Sequence, residues 1–390
     1  MEKLTRVLDQ VLEQSVTRAG GIPGVIAAVT DENGIIYEGA AGVRTLGEEA
    51  PMTTDTVTAL FSTSKALTGT ALMQLVEEGK VKLTDPVKEY VPEIADINVL
   101  EGFSDSGEAI LRPAKTDITI EMLMLHTAGF GYDFFNEEDK LYREANNIPS
   151  ILTSTKESIR TALLFEPGTR WNYGTNIDWV GLVVESVRGK SLEDTFQEYL
   201  FQPLGMNNTS FFLNEEMASR RASIHIRQSN GQLVANKEMI LPQPPEFQMG
   251  GGGLYGEVGD YMKFIRMILN DGGDLLSADT VEKMSSNGLG ELKSGGWKSS
   301  DPVSTNTGEF FPGIEKSWAY TFQRNEEKLP TGRPAGQLMW AGLANSYYWI
   351  DRENKIGGFF ASQILPFHDI ASYLGYLEFE SSVYSLLYNK

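Results

Sequence analysis

Two stretches at opposite ends of the chain carry one pattern. Gly24–Gly42 reads GVIAAVTDENGIIYEGAAG and Ser346–Leu365 reads SYYWIDRENKIGGFFASQIL, each a pair of apolar runs around a short polar turn. In the first, Asn33-Gly34 is the strongest short-range hairpin signal a sequence offers; in the second, DRENK marks the turn. SWAYTFQRN and QLMWAGLA add strand-like segments just ahead of the second pair. Between the ends, from Ser62 to about residue 215, the spacing is mostly helical or irregular: Leu67, Leu72, Leu75 and Val76 recur on a helix that stops at Gly79, and IDWVGLVVESV and SLEDTFQEYLF follow. DYMKFIRMIL and the segment from Ala371 to Leu387 read as further helices. Strands at both ends with helices between them predict one antiparallel sheet assembled from both termini, with a helical region inserted. The expected division is a sheet domain over 1–90 and 216–390, a mostly helical region over 91–215, and a cleft between them.

At 390 residues, 41% of them hydrophobic, the chain buries a full core as one large or two interleaved domains. A formal net charge of -20 without a local basic cluster excludes a phosphate backbone or an anionic bilayer as a partner. The chain has no cysteine, which removes disulfides, thiolate nucleophiles and thiolate metal sites together and suits a reducing compartment, so the cytoplasm is the expected location. The amino-terminal MEKLTRVLDQVLEQSV is amphipathic and lacks a signal-type apolar core, and no segment is long and apolar enough to span a membrane.

The chemistry begins at Leu60–Gly69, LFSTSKALTG, the one S-x-x-K in the sequence. Residues three apart share a helix face, so Ser62 and Lys65 project together from what reads as the first turn of a helix. A serine needs a neighbour to take its proton before it attacks. The positive helix end favours a neutral amine over an ammonium, and its free N–H groups suit a developing oxyanion. By spacing alone a serine N-cap with a solvated lysine is the better reading. Tyr173, in FEPGTRWNYGTNIDW, precedes a helix pattern; taken alone, ordinary packing is the better reading for it, but a cation such as Lys65 beside its phenol would lower the phenol toward use as a base.

Other chemistries lack their signatures. G-x-S-x-G is absent, and the only histidines, His126, His225 and His368, adjoin no serine elbow and form no H-E-x-x-H, so neither a Ser-His-Asp hydrolase nor a catalytic zinc is expected. His126 reads as a structural hydrogen-bonding residue. No G-x-x-x-x-G-K-[ST] follows the quartet Gly250 to Gly253, which reads as a place where backbone passes close to a cleft.

Taken in order, LFSTSKALTGTALMQLVEEGKVKLTDPV, MLMLHTAGFGYD, FEPGTRWNYGTNIDWVGLVVESVRGKSLEDTFQEYLFQPLGM, GGGGLYGEVGDYMKFIRMILNDGG and MWAGLANSYYWID resemble the landmarks of the serine β-lactamase-like esterases. These are the family VIII carboxylesterases, related to class C β-lactamases, DD-peptidases and the fungal lovastatin-type acyltransferases. The resemblance spans nearly the whole chain and implies an α/β (α+β) fold: a β-lactamase-like antiparallel sheet flanked by helices, with a mostly helical inserted region. It implies Ser62 as the acylated nucleophile, Lys65 as its proton-handling neighbour and Tyr173 as base and later acid. The backbone N–H groups of Ser62 and Leu343 become the oxyanion hole. For the third landmark, K-T-G in the penicillin-recognising relatives, Lys293-Ser294-Gly295 matches the letters, but Trp340-Ala341-Gly342 lies in a strand pattern and resembles the W-x-G of the esterases, so it is preferred.

The departures shape the expected substrate. Thr175 stands where class C β-lactamases carry asparagine, with Asn176 next to it as a possible substitute. Trp340 and Ala341 replace the lysine and hydroxyl residue that would hold a β-lactam carboxylate. Tyr132, Phe134, Thr175, Tyr255, Trp340 and Gly342 are the expected substrate-binding residues, with Phe130 and Phe135 as further aromatic candidates for an apolar cleft. The resulting expectation is a serine carboxylesterase that takes neutral, short-chain or aromatic small-molecule esters through a Ser62 acyl-enzyme, without metal or other cofactor. Acyl transfer to an alcohol is the first alternative; β-lactamase or DD-peptidase activity and a non-catalytic receptor follow.

Overall fold

In the terminal strands consecutive residues are apolar, where a half-exposed strand would alternate, and both faces of the sheet turn out to be covered. The computed structural model describes residues 2–388. Helix α1 (Glu2–Thr17) leads into strands β1 (Gly24–Asp31) and β2 (Ile35–Gly42). A 3₁₀ turn at Phe61–Thr63 runs into α2 (Ser64–Glu77), and α3 (Asn176–Arg188) and α4 (Val258–Leu269) come later. Strands β3 (Lys316–Trp318), β4 (Gln323–Asn325), β5 (Leu338–Gly342), β6 (Ser346–Asp351) and β7 (Ile356–Ala361) precede the last helix, α5 (Ile370–Leu387).

These strands form one seven-stranded antiparallel sheet in the order β3-β4-β5-β6-β7-β1-β2. The two ends of the chain meet where β1 pairs β7, from Ile26 opposite Ala361 to Asp31 opposite Ile356. Alternate residues serve opposite faces. Tyr348 and Phe359 meet Tyr261 of α4, with ring centroids 5.2 and 4.8 Å away. Trp349 and Phe360 meet Phe379 of α5 at 6.1 and 6.0 Å. Gly357 admits α4: a Cβ there would stand 2.5 Å from Ile265 Cγ2.

The first hairpin lies where the sequence places it, but its turn is held by other means than a two-residue left-handed turn. Asp31 Oδ1 accepts the N–H groups of Asn33 and Gly34 at 2.7 and 2.9 Å, and the pairing slips by a residue between Val29 and Thr30. SWAYTFQRN is two strands, β3 and β4, folded back so that Ala319 N–H reaches Phe322 C=O at 2.8 Å. Within 91–215 a hairpin, Asn98–Phe103 with Ala109–Pro113, stands among the helices. Most of its residues are at least partly exposed, so no apolar alternation announced it. Behind β5, the buried Arg333 meets both oxygens of the buried Glu380 on α5 at 2.9 and 3.3 Å. Among the described residues no helix is long and apolar enough to cross a membrane.

Candidate active site

Ser62 sits in the 3₁₀ turn ahead of α2 and Lys65 in the first turn of α2, so the helix starts two residues later than its sequence pattern suggests. Phe61, immediately before Ser62, has φ +44°, a left-handed conformation that a bulky side chain rarely adopts. It turns the chain so that Ser62 is half-buried at a cavity and Lys65 lies fully buried behind it. Lys65 Nζ is 3.1 Å from Ser62 Oγ, 3.0 Å from the Tyr132 hydroxyl and 2.6 Å from the Gly251 carbonyl. It also stands 4.8 Å from the centre of the Tyr173 ring. The Lys65 carbonyl accepts the Thr321 hydroxyl at 2.8 Å, which ties the β3–β4 turn to the start of α2.

Burial governs the protonation of this group of residues. Desolvation pushes the Lys65 ammonium down to about 7, with the Asp178 carboxylate pulling the other way. Burial likewise pushes Asp178 up to about 6, opposed first by Lys65. Tyr173 moves opposite to the sequence expectation. Burial raises its phenol far above the neutral range, and hydrogen bonds from Ser62 and from Trp340, whose Nε1–H donates to the phenol oxygen at 3.0 Å, only moderate the rise. Tyr132 is raised too, by burial first. At neutral pH the site therefore holds two neutral phenols around an amine close to its own titration point.

Ser62 opens into a cavity of about 360 Å³ with largely aromatic walls. The lining includes Tyr132, Phe134, Phe135, Tyr173, Trp340 and Leu343 among the residues singled out from the sequence. It draws on both the inserted region and the sheet end of the chain. Trp340 and Ala341 lie on β5 beyond Leu338 and Met339, the residues of that strand that pair with β4, so their outer edge is left to the cavity. Leu343 follows directly and lines the cavity together with Ser62.

Five of the residues considered from the sequence stay off the cavity. Thr175 is buried at the start of α3 and lines no part of the cavity; its hydroxyl finds no partner among the described residues. Asn176 does not take its place, because its Nδ2 turns to His126 Nδ1 at 2.9 Å. Tyr255 is buried in a short strand, its hydroxyl accepting the Leu241 N–H at 2.9 Å. Gly342 faces Leu60 and Ser346, and a Cβ there would come within 2.5 Å of the Leu60 carbonyl oxygen. Phe130 is also off the cavity, stacked on Trp179 at 5.8 Å. Lys293 is paired with Glu315 at 2.5 Å, away from the cavity, whereas Lys298 lines it together with Glu137 and Glu138. His126 is buried behind Tyr173, their ring centroids 4.8 Å apart, and His225 accepts the Leu46 N–H at 3.1 Å.

Sequence reasoning missed Asp178 and the role of Gly251. Asp178 Oδ1 accepts the Gly251 N–H at 2.9 Å, and Gly251 C=O in turn holds Lys65. A Cβ on Gly251 would fall 2.6 Å from Asp178 Oδ2. The only sequence signal was an acid inside the apolar run IDWVGLVVE.

Fold and site together define a serine hydrolase. The chain belongs to the beta-lactamase family, whose model matches residues 6–381. It is 30% identical over 373 residues to the lovastatin esterase of Penicillium rubens, covering 90% of this chain and 92% of the relative. It is 31% identical over 354 residues to the acyltransferase calJ of Penicillium decumbens, covering 85% and 82%. Among solved structures, unliganded simvastatin synthase (LovD) from Aspergillus terreus superposes with a TM-score of 0.86 at 27% identity, over 99% of each chain. EstCE1, a hydrolase with promiscuous acyltransferase activity, shares the fold with a TM-score of 0.77 at 22% identity.

Proposed function

We propose that this enzyme is a carboxylesterase that hydrolyses neutral small-molecule esters through an acyl group carried on Ser62. One observation carries the reading: a buried amine 3.1 Å behind a serine hydroxyl that opens into an aromatic cavity. A neutral Lys65 has two N–H bonds, and the Gly251 carbonyl and the Tyr132 hydroxyl accept them. Its lone pair then faces Ser62. Lys65 takes the Ser62 proton as Oγ bonds to the ester carbonyl carbon, and the oxyanion so formed lies against the N–H groups of Ser62 and Leu343. The C–O bond to the alcohol breaks, and the departing oxygen takes a proton from Tyr173, which Lys65 restores. A water molecule, deprotonated by the same amine, attacks the acyl carbon; the bond from that carbon to Ser62 Oγ breaks, the acid is released, and Lys65 returns the proton to Oγ.

Tyr173 serves as a proton donor here because its phenol is raised, so the first acceptor is Lys65. The substrate-binding residues in this reading are Tyr132, Phe134 and Trp340, in a cleft between the sheet region 1–90 with 216–390 and the inserted region 91–215. With no cation on the Trp340-Ala341 strand, and two carboxylates against one ammonium at Glu137, Glu138 and Lys298, the cavity favours neutral esters over anionic β-lactams. Acyl transfer to an alcohol is the second reading, supported by the 31% identity to an acyltransferase. A panel of p-nitrophenyl esters, run with and without an added alcohol and beside a chromogenic cephalosporin, tests both. Turnover of acetate or butyrate esters more than tenfold above the cephalosporin is expected. An ester product in the alcohol arm that outpaces the free acid would replace hydrolysis by transfer, and comparable efficiency on the cephalosporin would sink the neutral-ester reading.

A further inference from the structure

The Gly251 N–H needs an acceptor, and a neutral side chain would supply one. The structure supplies a carboxylate instead. Asp178 is fully buried, one of its oxygens holds that N–H at 2.9 Å, and the other has no hydrogen-bond partner among the described residues. A carboxylate buried with an oxygen unpaired is costly compared with an amide in the same place, so its charge calls for a use beyond the hydrogen bond. Gly251 links that charge to Lys65: its N–H is fixed by Asp178 and its C=O accepts Lys65 Nζ at 2.6 Å. No side chain larger than hydrogen fits between them, because a Cβ on Gly251 would lie 2.6 to 2.9 Å from the three carboxyl atoms.

We propose that Asp178 is a positioning residue of the Ser62–Lys65 pair: through Gly251 it holds the carbonyl that orients the amine, and its negative charge offsets the ammonium that forms when Lys65 takes the Ser62 proton. The inference rests on the acyl-enzyme reading above. The proton moves from Ser62 Oγ to Lys65 Nζ and Asp178 neither gains nor gives one, so its contribution is largest where positive charge develops. The other groups that bear on this charge are the phenols of Tyr132 and Tyr173, which are neutral, and Arg143 on the helix Glu137–Asn146, which is already paired with Asp139 at 2.6 Å. His126, beside Lys65, is kept neutral by burial first and by Lys65 second. Lys65 is thus the cation Asp178 has left to serve.

The test is Asp178→Asn in the full chain, which keeps an acceptor for the Gly251 N–H and removes only the charge. The rate of Ser62 acylation is followed as kcat/KM for p-nitrophenyl butyrate from about pH 5 to about pH 9. Without the carboxylate the ammonium is less favoured, so the rising limb of the profile moves to lower pH, by about one unit, while the plateau falls about 10- to 100-fold because the amine has become a weaker base. KM should hardly change. A purely structural aspartate would leave the limb where it is, and a variant profile that superposes on the parent overturns the proposal. Gly251→Ala serves where the asparagine variant does not fold. It keeps the carboxylate but pushes it off its place, and should move the limb in the same direction; an unmoved limb there counts equally against the role. Phosphonate labelling of the parent protein separates the two layers: no label on Ser62 removes the acyl-enzyme reading itself, whereas a labelled Ser62 with unmoved profiles removes Asp178 alone.

Discussion

The molecule buries two opposite-charge pairs of similar depth and treats them differently. Arg333 and Glu380 touch directly through two contacts, and Arg333 further donates to the Leu338 carbonyl and the Tyr376 hydroxyl while Thr331 donates to Glu380. Lys65 and Asp178 are kept apart by the Gly251 backbone, and one carboxylate oxygen is left over. In the saturated pair Arg333 is raised: burial lowers it, but the pull of Glu380 and of the neighbouring phenolic oxygens outweighs that. The unsaturated pair is pushed toward neutrality from both sides, Lys65 down and Asp178 up. Direct, fully bonded pairing locks protons in place; indirect pairing leaves them free to move, which is what acid–base work on a serine requires.

Replacing the proposed nucleophile should have the largest effect. Ser62→Ala is expected to lower ester turnover on the order of 10³-fold or more with the fold intact, because the covalent bond is placed on that oxygen. Intact-mass spectrometry with a phosphonate checks it, and a label on any other residue would break the assignment.

The two buried pairs should respond in opposite ways to loss of the cation. Lys65→Met is expected to cost about 10²- to 10⁴-fold in turnover with little loss of stability, since Asp178, already raised toward neutrality, takes a proton when its partner is gone. Arg333→Met should cost about 3–5 kcal/mol of stability, read by denaturant unfolding, because the buried Glu380 loses its direct ion-pair partner and the hydrogen bonds that come with it. Its folded fraction should keep the parent's ester kinetics. A stability loss of equal size in both variants would show that the two pairs do the same work, and the comparison would fail.

How much of this was legible depended on the distance along the chain over which each feature acts. Ser62 and Lys65 were readable because three residues within one turn fix their juxtaposition. The sheet was readable because β1, β6 and β7 are apolar on consecutive residues. Asp178 was not, since an acid in the first turn of a helix already has an ordinary reason to be there, the helix dipole. Its link to Lys65 runs through Gly251, 186 residues from that lysine. Gly251 itself was readable only as a place of close backbone approach. The expected lowering of Tyr173 failed for a similar cause: the nearby cation was foreseen, but the depth of burial that outweighs it belongs to the folded molecule. Gly342 sits between Ala341 and Leu343, which do line the cavity, and Thr175 and Tyr255 lie two and three residues from Tyr173 and Gly252, so the direction each residue takes in the folded chain separates wall from backing.

A pH profile sharpens the contrast further. With the neutral amine as the reactive form, kcat/KM for a neutral ester should rise as pH increases through about 7, the value to which burial brings Lys65. The rise should approach tenfold per pH unit below that point. Tyr173 stays protonated throughout, so no falling limb is expected from it up to about pH 9. A profile that is flat across neutrality would mean that Lys65 is not the titrating base.

The smallest expected effect belongs to Trp340, which acts on the site without touching Lys65. Its indole N–H donates to the Tyr173 oxygen at 3.0 Å, while the Tyr173 ring lies 4.8 Å from Lys65 Nζ. Trp340→Phe removes that donor and keeps an aromatic wall on the cavity. Tyr173 then loses one of the two hydrogen bonds that moderate its phenol, so it becomes a weaker acid for the departing alcohol. One hydrogen bond of this kind is worth about 1 kcal/mol, which sets the loss in kcat at about fivefold to tenfold. The loss should grow as the leaving alcohol becomes more basic, because a p-nitrophenolate departs without a proton whereas an alkoxide needs one. Comparing p-nitrophenyl butyrate with ethyl butyrate therefore reads the role of the bond directly. Equal losses on the two esters would place the Trp340 contact outside the proton path, and Tyr173 would then be a wall of the cavity rather than its acid.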